Sequence, residues 1–144
     1  NNTVLLGQVF STYFIGDHSG CRFINNVMYR PTSVPNAAVA INQSEGKLEL
    51  VSDYNCWGPM VPGTRPAYVY ARSLNDLAFT GATVTEWAAN TGLDGHSIEA
   101  DPLFADLTAG DFRLAPGSPA LGAGEGGTNM GALDERLLQG RTGQ

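Results

Sequence analysis

Positive charge is scarce in this chain. Eight Lys and Arg stand against fourteen Asp and Glu, giving a formal net charge of −6, and lysine occurs only at Lys47. Binding a nucleic acid needs clustered basic side chains that neutralise phosphates. Here they are scattered over the whole length, which excludes nucleic acid as a partner. Long apolar runs are also missing. Nothing approaches the roughly 20 residues that span a bilayer, so membrane insertion is not expected. Cysteine is limited to Cys21 and Cys56, and no Cys/His spacing suits zinc. Gly122-Ala123-Gly124 has no amphipathic helix after it, so there is no phosphate-binding loop. No signal peptide is visible, and a first residue of Asn leads us to expect an N-terminus made by processing, by the design of the expressed chain or by incomplete coverage.

What is present points to short strands. The chain has 144 residues, the length of one domain, with 42% apolar residues, 18 Gly and 8 Pro. A domain of this size buries roughly 70% of its unfolded surface, enough for a real core. Apolar content is too high and net charge too modest for disorder. The first 58 residues show no helical period. Short apolar or β-branched runs at 3–10, 12–15, 21–29, 37–41 and 48–57 alternate with turn clusters such as Gly16-Asp17-His18-Ser19-Gly20 and Asn42-Gln43-Ser44-Glu45-Gly46.

The runs resemble one another. Asn1-Asn2, Asn25-Asn26 and Asp53-Tyr54-Asn55 recur at spacings of 24 and 29, each followed by apolar residues. A loose period of this size suggests stacked layers, because one turn of strands cannot bury its own inner face. Asn at a repeated corner tolerates the left-handed backbone region and can bond its amide to the Asn of the next layer. The competing reading is an antiparallel sandwich with Asn-rich turns. Setting Asn26 over Asn55 places Val27 over Cys56 and Cys21 over Leu50. The two cysteines then lie too far apart for the roughly 7 Å Cα separation that a disulfide allows. Both are expected to be free and packed as small apolar residues.

The pattern changes after Gly58. Three prolines between 59 and 66 block a ladder and predict an irregular loop. A strand is expected over 67–71. Thr83-Val84-Thr85-Glu86 fits a capping box, so a helix should run from about Val84 to Asn90, stopped by Gly92 and anchored by Trp87. Asp111-Phe112-Arg113-Leu114 reads as a strand. Pro116 and Gly117 are placed for a type II turn.

The stretches 52–57, 86–97, 100–104 and 110–120 together carry a resemblance. Ser52-Asp53-Tyr54-Asn55-Cys56-Trp57, Glu86-Trp87-Ala88-Ala89-Asn90-Thr91-Gly92-Leu93-Asp94-Gly95-His96-Ser97, Ala100-Asp101-Pro102-Leu103-Phe104 and Gly110-Asp111-Phe112-Arg113-Leu114-Ala115-Pro116-Gly117-Ser118-Pro119-Ala120 are similar to the C-terminal portion of bacterial secreted, pectate-lyase-like right-handed parallel β-helix proteins. That family includes many polysaccharide lyases and glycoside hydrolases. Leu133 departs from its pattern, which usually places an aromatic residue there. The resemblance implies an all-β fold, a right-handed parallel β-helix of two to three coils with a C-terminal cap containing one short α-helix. The expected division is coils over 1–58, an irregular loop and strand over 59–82, and a capping helix with a closing tail over 83–144. The first coil would expose strand edges, so the N-terminal part of the same protein or another chain is expected to cover it.

The resemblance also implies a secreted or cell-surface protein whose partner is a polysaccharide, laid across an outer sheet. Lyase chemistry needs a cation beside the sugar carboxylate and a base for the C5 proton. Arg22 or Arg30 would supply the charge, and His18 or Tyr29 the base. Hydrolysis needs two carboxylates, about 5.5 Å apart for retention or about 6.5–9.5 Å for inversion, and Asp17, Glu49 and Asp53 are the coil candidates. His18, Arg22 and Asp53 are thus the catalytic candidates, and Tyr54, Trp57 and Arg30 the substrate-binding ones. Each has a plainer reading: Asp17 and His18 as a polar turn, Asp53 as a turn carboxylate, and the aromatic residues as core. Asp94 and His96 read as a structural turn. Asp101, Asp106 and Asp111 recur every five residues but match no Ca²⁺ loop, so Ca²⁺ is admitted without being required and no metal site is assigned. A site built over several coils would be incomplete in this chain alone. The other function class is a non-catalytic stalk, filament or fibre cap.

Overall fold

The computed structural model describes residues 1–5, 12–15, 20–29, 39–43, 50–58, 67–71, 78–80 and 83–132. Chain order begins with β1 (Thr3–Leu5), β2 (Thr12–Ile15), β3 (Arg22–Ile24), β4 (Val27–Tyr29) and β5 (Val39–Gln43). It continues with β6 (Val51–Asp53), β7 (Cys56–Gly58), β8 (Ala67–Ala71) and β9 (Ala78–Thr80). The helix α1 (Val84–Thr91) precedes β10 (Ile98–Glu99), β11 (Phe104–Asp106) and β12 (Asp111–Leu114).

The strands form four small sheets, ordered β1-β4-β7-β10, β2-β5-β8-β9, β3-β6 and β11-β12. The first is parallel throughout, with Val27 opposite Thr3 and Cys56, and Ile98 opposite Cys56. This is the register expected from the Asn repeats. Val51 N–H bonds to Cys21 O at 3.0 Å, which also sets Cys21 beside Leu50 as expected. Both cysteines are free, but only Cys56 is buried; Cys21 is exposed. Asn26 donates to Asn55 Oδ1 from both its backbone N–H and its Nδ2, and Asn2 Nδ2 donates to Asn26 Oδ1, each at 3.0 Å. The left-handed corner falls one position before the ladder, at Asn25 (φ 55°) and Tyr54 (φ 54°).

The expected right-handed parallel β-helix is corrected. The described strands are two to five residues long and lie in separate small sheets of mixed direction, with a helix between them, and no closed or solenoid sheet is formed among the described residues. β9 pairs with β8 antiparallel, and β12 with β11 antiparallel. The reason lies in the connections. A parallel return needs a dozen or more residues. Only 72–77 separate β8 from β9, and 107–110 separate β11 from β12, so the chain folds straight back.

α1 forms as its end signals dictate. Thr83 Oγ1 accepts from Glu86 N–H at 3.1 Å, and Val84 N–H finds Glu99 Oε2 at 3.1 Å. Gly92 closes the helix in the left-handed region (φ 72°), its N–H bonded to Ala88 O at 2.8 Å. Trp87 and Val84 are the buried side of the helix.

The first sheet is covered on both faces. Side chains alternate along a strand. Val27 and Cys56 pack with Ala120 and Met130, with Tyr29, Ile98, Phe104, Leu114 and Ala123 around them. The opposite face carries Met28 and Trp57, both buried, and Trp57 lies 6.1 Å from the Phe23 ring. The segment 102–132 therefore runs back over the sheet. Gly131 N–H bonds to Asn25 O at 2.8 Å, and Ala132 N–H reaches Thr3 Oγ1 at 3.1 Å. Ala115 to Ser118 form the expected turn, closed by Ser118 N–H to Ala115 O at 3.0 Å with Gly117 at φ 88°.

Candidate functional site

The same register that stacks Asn26 on Asn55 places Ser97 below Asn55 and His96 below Tyr54. Asn55 N–H bonds to Ser97 Oγ at 2.8 Å, and the Tyr54 and His96 rings stack with centroids 4.8 Å apart and planes 4° from parallel. That spacing is the distance between neighbouring strands. The stack is thus a direct product of the ladder.

The loop 92–97 is held from beneath by Asp94. Its residue is 2% exposed and its backbone takes the left-handed region (φ 55°). Oδ1 accepts from Asn55 Nδ2 at 2.9 Å and Ser97 Oγ at 2.6 Å; Oδ2 accepts from Ser52 Oγ at 2.8 Å and Trp87 Nε1 at 2.9 Å. Four donors, from β6, α1, the corner at Asn55 and the loop itself, fill the acceptor capacity of one carboxylate. The great majority of buried polar groups in folded proteins are satisfied in this way. The structural reading of Asp94 is the one observed.

His96 stands above this network at the surface, its side chain 67% exposed. Asp53, at the end of β6, grips it twice. Oδ1 accepts the His96 backbone N–H and Oδ2 meets Nδ1, both at 2.7 Å. Oδ1 also takes the Tyr54 N–H at 2.9 Å. Partial burial pushes the Asp53 carboxyl up, but the bonds from the His96 ring and backbone and from Tyr54 more than offset this and hold it below the usual range. Among the described residues none bonds Nε2. The carboxylate therefore fixes one ring nitrogen and leaves the other directed away, an orientation suited to proton transfer or to a hydroxyl.

Of the residues singled out in the sequence, Asp53 and Tyr54 come together here. Arg22 is engaged elsewhere, its Nη2 2.7 Å from Glu125 Oε1. Trp57 is 1% exposed, and its indole fills core instead of offering a face. Its Nε1–H is buried with no acceptor among the described residues. His18, Arg30, Asp17 and Glu49 lie outside the described residues. Asp101 and Asp106 take N–H groups of their own loops, at Leu103 and Ala109, and Asp111 is bound by Arg113, whose hydrogen bonds pull its carboxyl down to about 2. No group of three or more His, Cys, Asp or Glu side chains is arranged for a metal among the described residues. Nor is any described helix long and apolar enough to cross a membrane. His96, read from the sequence as part of a structural turn, is the member that sequence reasoning did not assign to the site. Carrying the Asn register one layer further, from Asn55 to Ser97, would have found it.

A scan against family models finds no match, and comparisons with curated proteins and with solved structures also find none.

Proposed function

We propose that this chain is a polysaccharide-binding section of a secreted protein, with Tyr54, His96 and Asp53 as its sugar contact, and that it does not complete a catalytic centre by itself. The observation that carries the reading is the exposed His96 ring, stacked on Tyr54 and fixed by Asp53. A pyranose has an apolar C–H face and a rim of hydroxyls. A flat ring with a ring nitrogen and a carboxylate at its edge offers a partner for each. The resemblance to secreted polysaccharide-active proteins supports the same reading, since Asp53, Tyr54 and His96 all belong to the stretches that carry it.

Catalysis needs more than the pair supplies. Elimination asks for a cation beside the sugar carboxylate, and both described arginines, Arg22 and Arg113, are already paired with carboxylates. His96 with Asp53 would serve as the proton-transferring half of a centre whose other half comes from elsewhere.

The test is affinity electrophoresis through gels containing alginate, pectin, glycosaminoglycans or neutral glucans, with absorbance at 235 nm followed in solution. Retardation by at least one polymer is expected, without formation of unsaturated sugar. His96→Ala and Tyr54→Asn, the latter chosen because Asn tolerates the left-handed backbone, should weaken retention about tenfold, or ~1.4 kcal/mol. Unchanged migration of the unmutated chain in every polymer would remove the reading.

A further inference from the structure

Among the described residues the Asn ladder is closed at one end and open at the other. At the closed end Asn55 is met by Ser97 and Asp94. At the open end Asn2 is exposed and donates to Asn26. Among the described residues nothing donates to Asn2 Oδ1. The parallel strands follow chain order in every sheet, so β1, β2 and β3 are each the outermost strand of their sheet. Among the described residues, no strand pairs with the outer edge of β1, the side away from β4.

The rungs already present say what fits there. Each layer's strand sends its first N–H to the Asn carbonyl of the layer before: Val27 to Asn2, Cys56 to Asn26 and Ile98 to Asn55, at 2.8–2.9 Å. By the same alternation the Thr3 N–H points outward, and no described group accepts it. Asn55 Oδ1 receives two bonds from Asn26, from N and from Nδ2. Asn2 Oδ1 is the corresponding acceptor one layer earlier. Edge strands are commonly guarded by charge, Pro or a bulge. β1 reads Thr-Val-Leu, with no charge and no Pro, and Leu5 is 47% exposed.

We propose that the outer edge of β1 is a docking site for one parallel strand from polypeptide outside residues 1–144, carrying an Asn immediately before its first paired residue. The Asn carbonyl takes the Thr3 N–H. Its backbone N–H and Nδ2 both go to Asn2 Oδ1. A second copy of this chain is the competing occupant, and the ladder disfavours it. Two copies related by a two-fold axis would bring β1 to β1 antiparallel, which cannot continue a ladder whose bonds all run in one direction. Strand addition of this kind draws affinity from the main chain and specificity from side chains at fixed positions.

The probe is a fluorescein-labelled peptide copying residues 24–30, Ile-Asn-Asn-Val-Met-Tyr-Arg, titrated with the full chain and followed by anisotropy. Saturable binding is expected, with slowed hydrogen exchange at the Thr3 and Leu5 amides. Replacing the second peptide Asn by Ala, or Asn2→Ala in the chain, should weaken binding about tenfold. A peptide of scrambled order should not bind. The proposal is overturned if peptide and scrambled control behave alike, if the Thr3 and Leu5 amides exchange unchanged, or if light scattering shows a dimer that protects these amides without peptide. Sugar binding is independent of this edge, so the two readings fail separately.

Discussion

Asp94 accepts from Ser52, Asn55, Trp87 and Ser97, so removing an acceptor there leaves donors stranded in a dry site. Asp94→Asn keeps the size and suits φ 55°, but turns one acceptor into a donor facing donors. A loss of ~2 kcal/mol is expected, measured as a lower urea midpoint at unchanged slope; an unshifted midpoint would show the network to be slack. Asp53 is a milder case, because its partner His96 is largely exposed. Its folded carboxyl lies below the usual range. The bonds therefore stabilise the fold above about pH 4, the unfolded value, and lose their effect as pH falls through the lower folded value. The midpoints of the unmutated chain and Asp53→Asn should differ at pH 6 by less than ~1 kcal/mol, and the gap should narrow toward pH 3. A gap that widens on acidification would contradict the pairing. Two of the three residues of this site were legible. Asp53 and Tyr54 stood out as polar and aromatic residues at a repeated corner. His96 lies 43 positions from Asp53, in a loop whose layer spacing differs from the two before it, so only the strand register, and not a fixed period, leads there. Trp57 was misread as a platform because an apolar strand buried on both faces looks like one with a free face.

At the scale of elements, close approach decides what can change. An added Cβ at Gly58 would lie 1.8 Å from the Ala100 carbonyl oxygen. That oxygen belongs to backbone, so β7 and the segment after β10 would have to part. Gly58→Ala should cost about 3 kcal/mol or more. Gly95→Ala, where nothing lies within 4 Å, should stay within about 0.5 kcal/mol of the unmutated chain. Thermal melts of the pair check the contrast, and equal melting temperatures would refute it. Local signals were readable where they act locally. The helix end at Gly92, the strand over 67–71 and the turn at Pro116-Gly117 all follow from neighbours in sequence. The direction of β9 and β12 was not readable as part of one continuous parallel stack. It depends on how many residues are left to turn the chain, and the repeated corners drew attention to similarity instead of to these short connections.

At the scale of the whole molecule, the segment 102–132 covers the face of the first sheet that carries Val27 and Cys56. A chain ending at residue 101 would bare both, together with Ile98 and Tyr29. Fully burying a side chain such as Val contributes ~1.5–3 kcal/mol, so the shortened chain should expose a sticky apolar surface and self-associate. Light scattering and dye binding would report it, and a monomer that binds no dye would show that the face is self-sufficient. The contact between Ala132 and Thr3 spans 129 positions. Its consequence is one of timing. Contacts so far apart in sequence are slow to find because the intervening chain must close first. During synthesis, the first strands leave the ribosome long before their fastener exists. The early part of the chain must then wait, partly clad, until residue 132 has emerged and can snap across it.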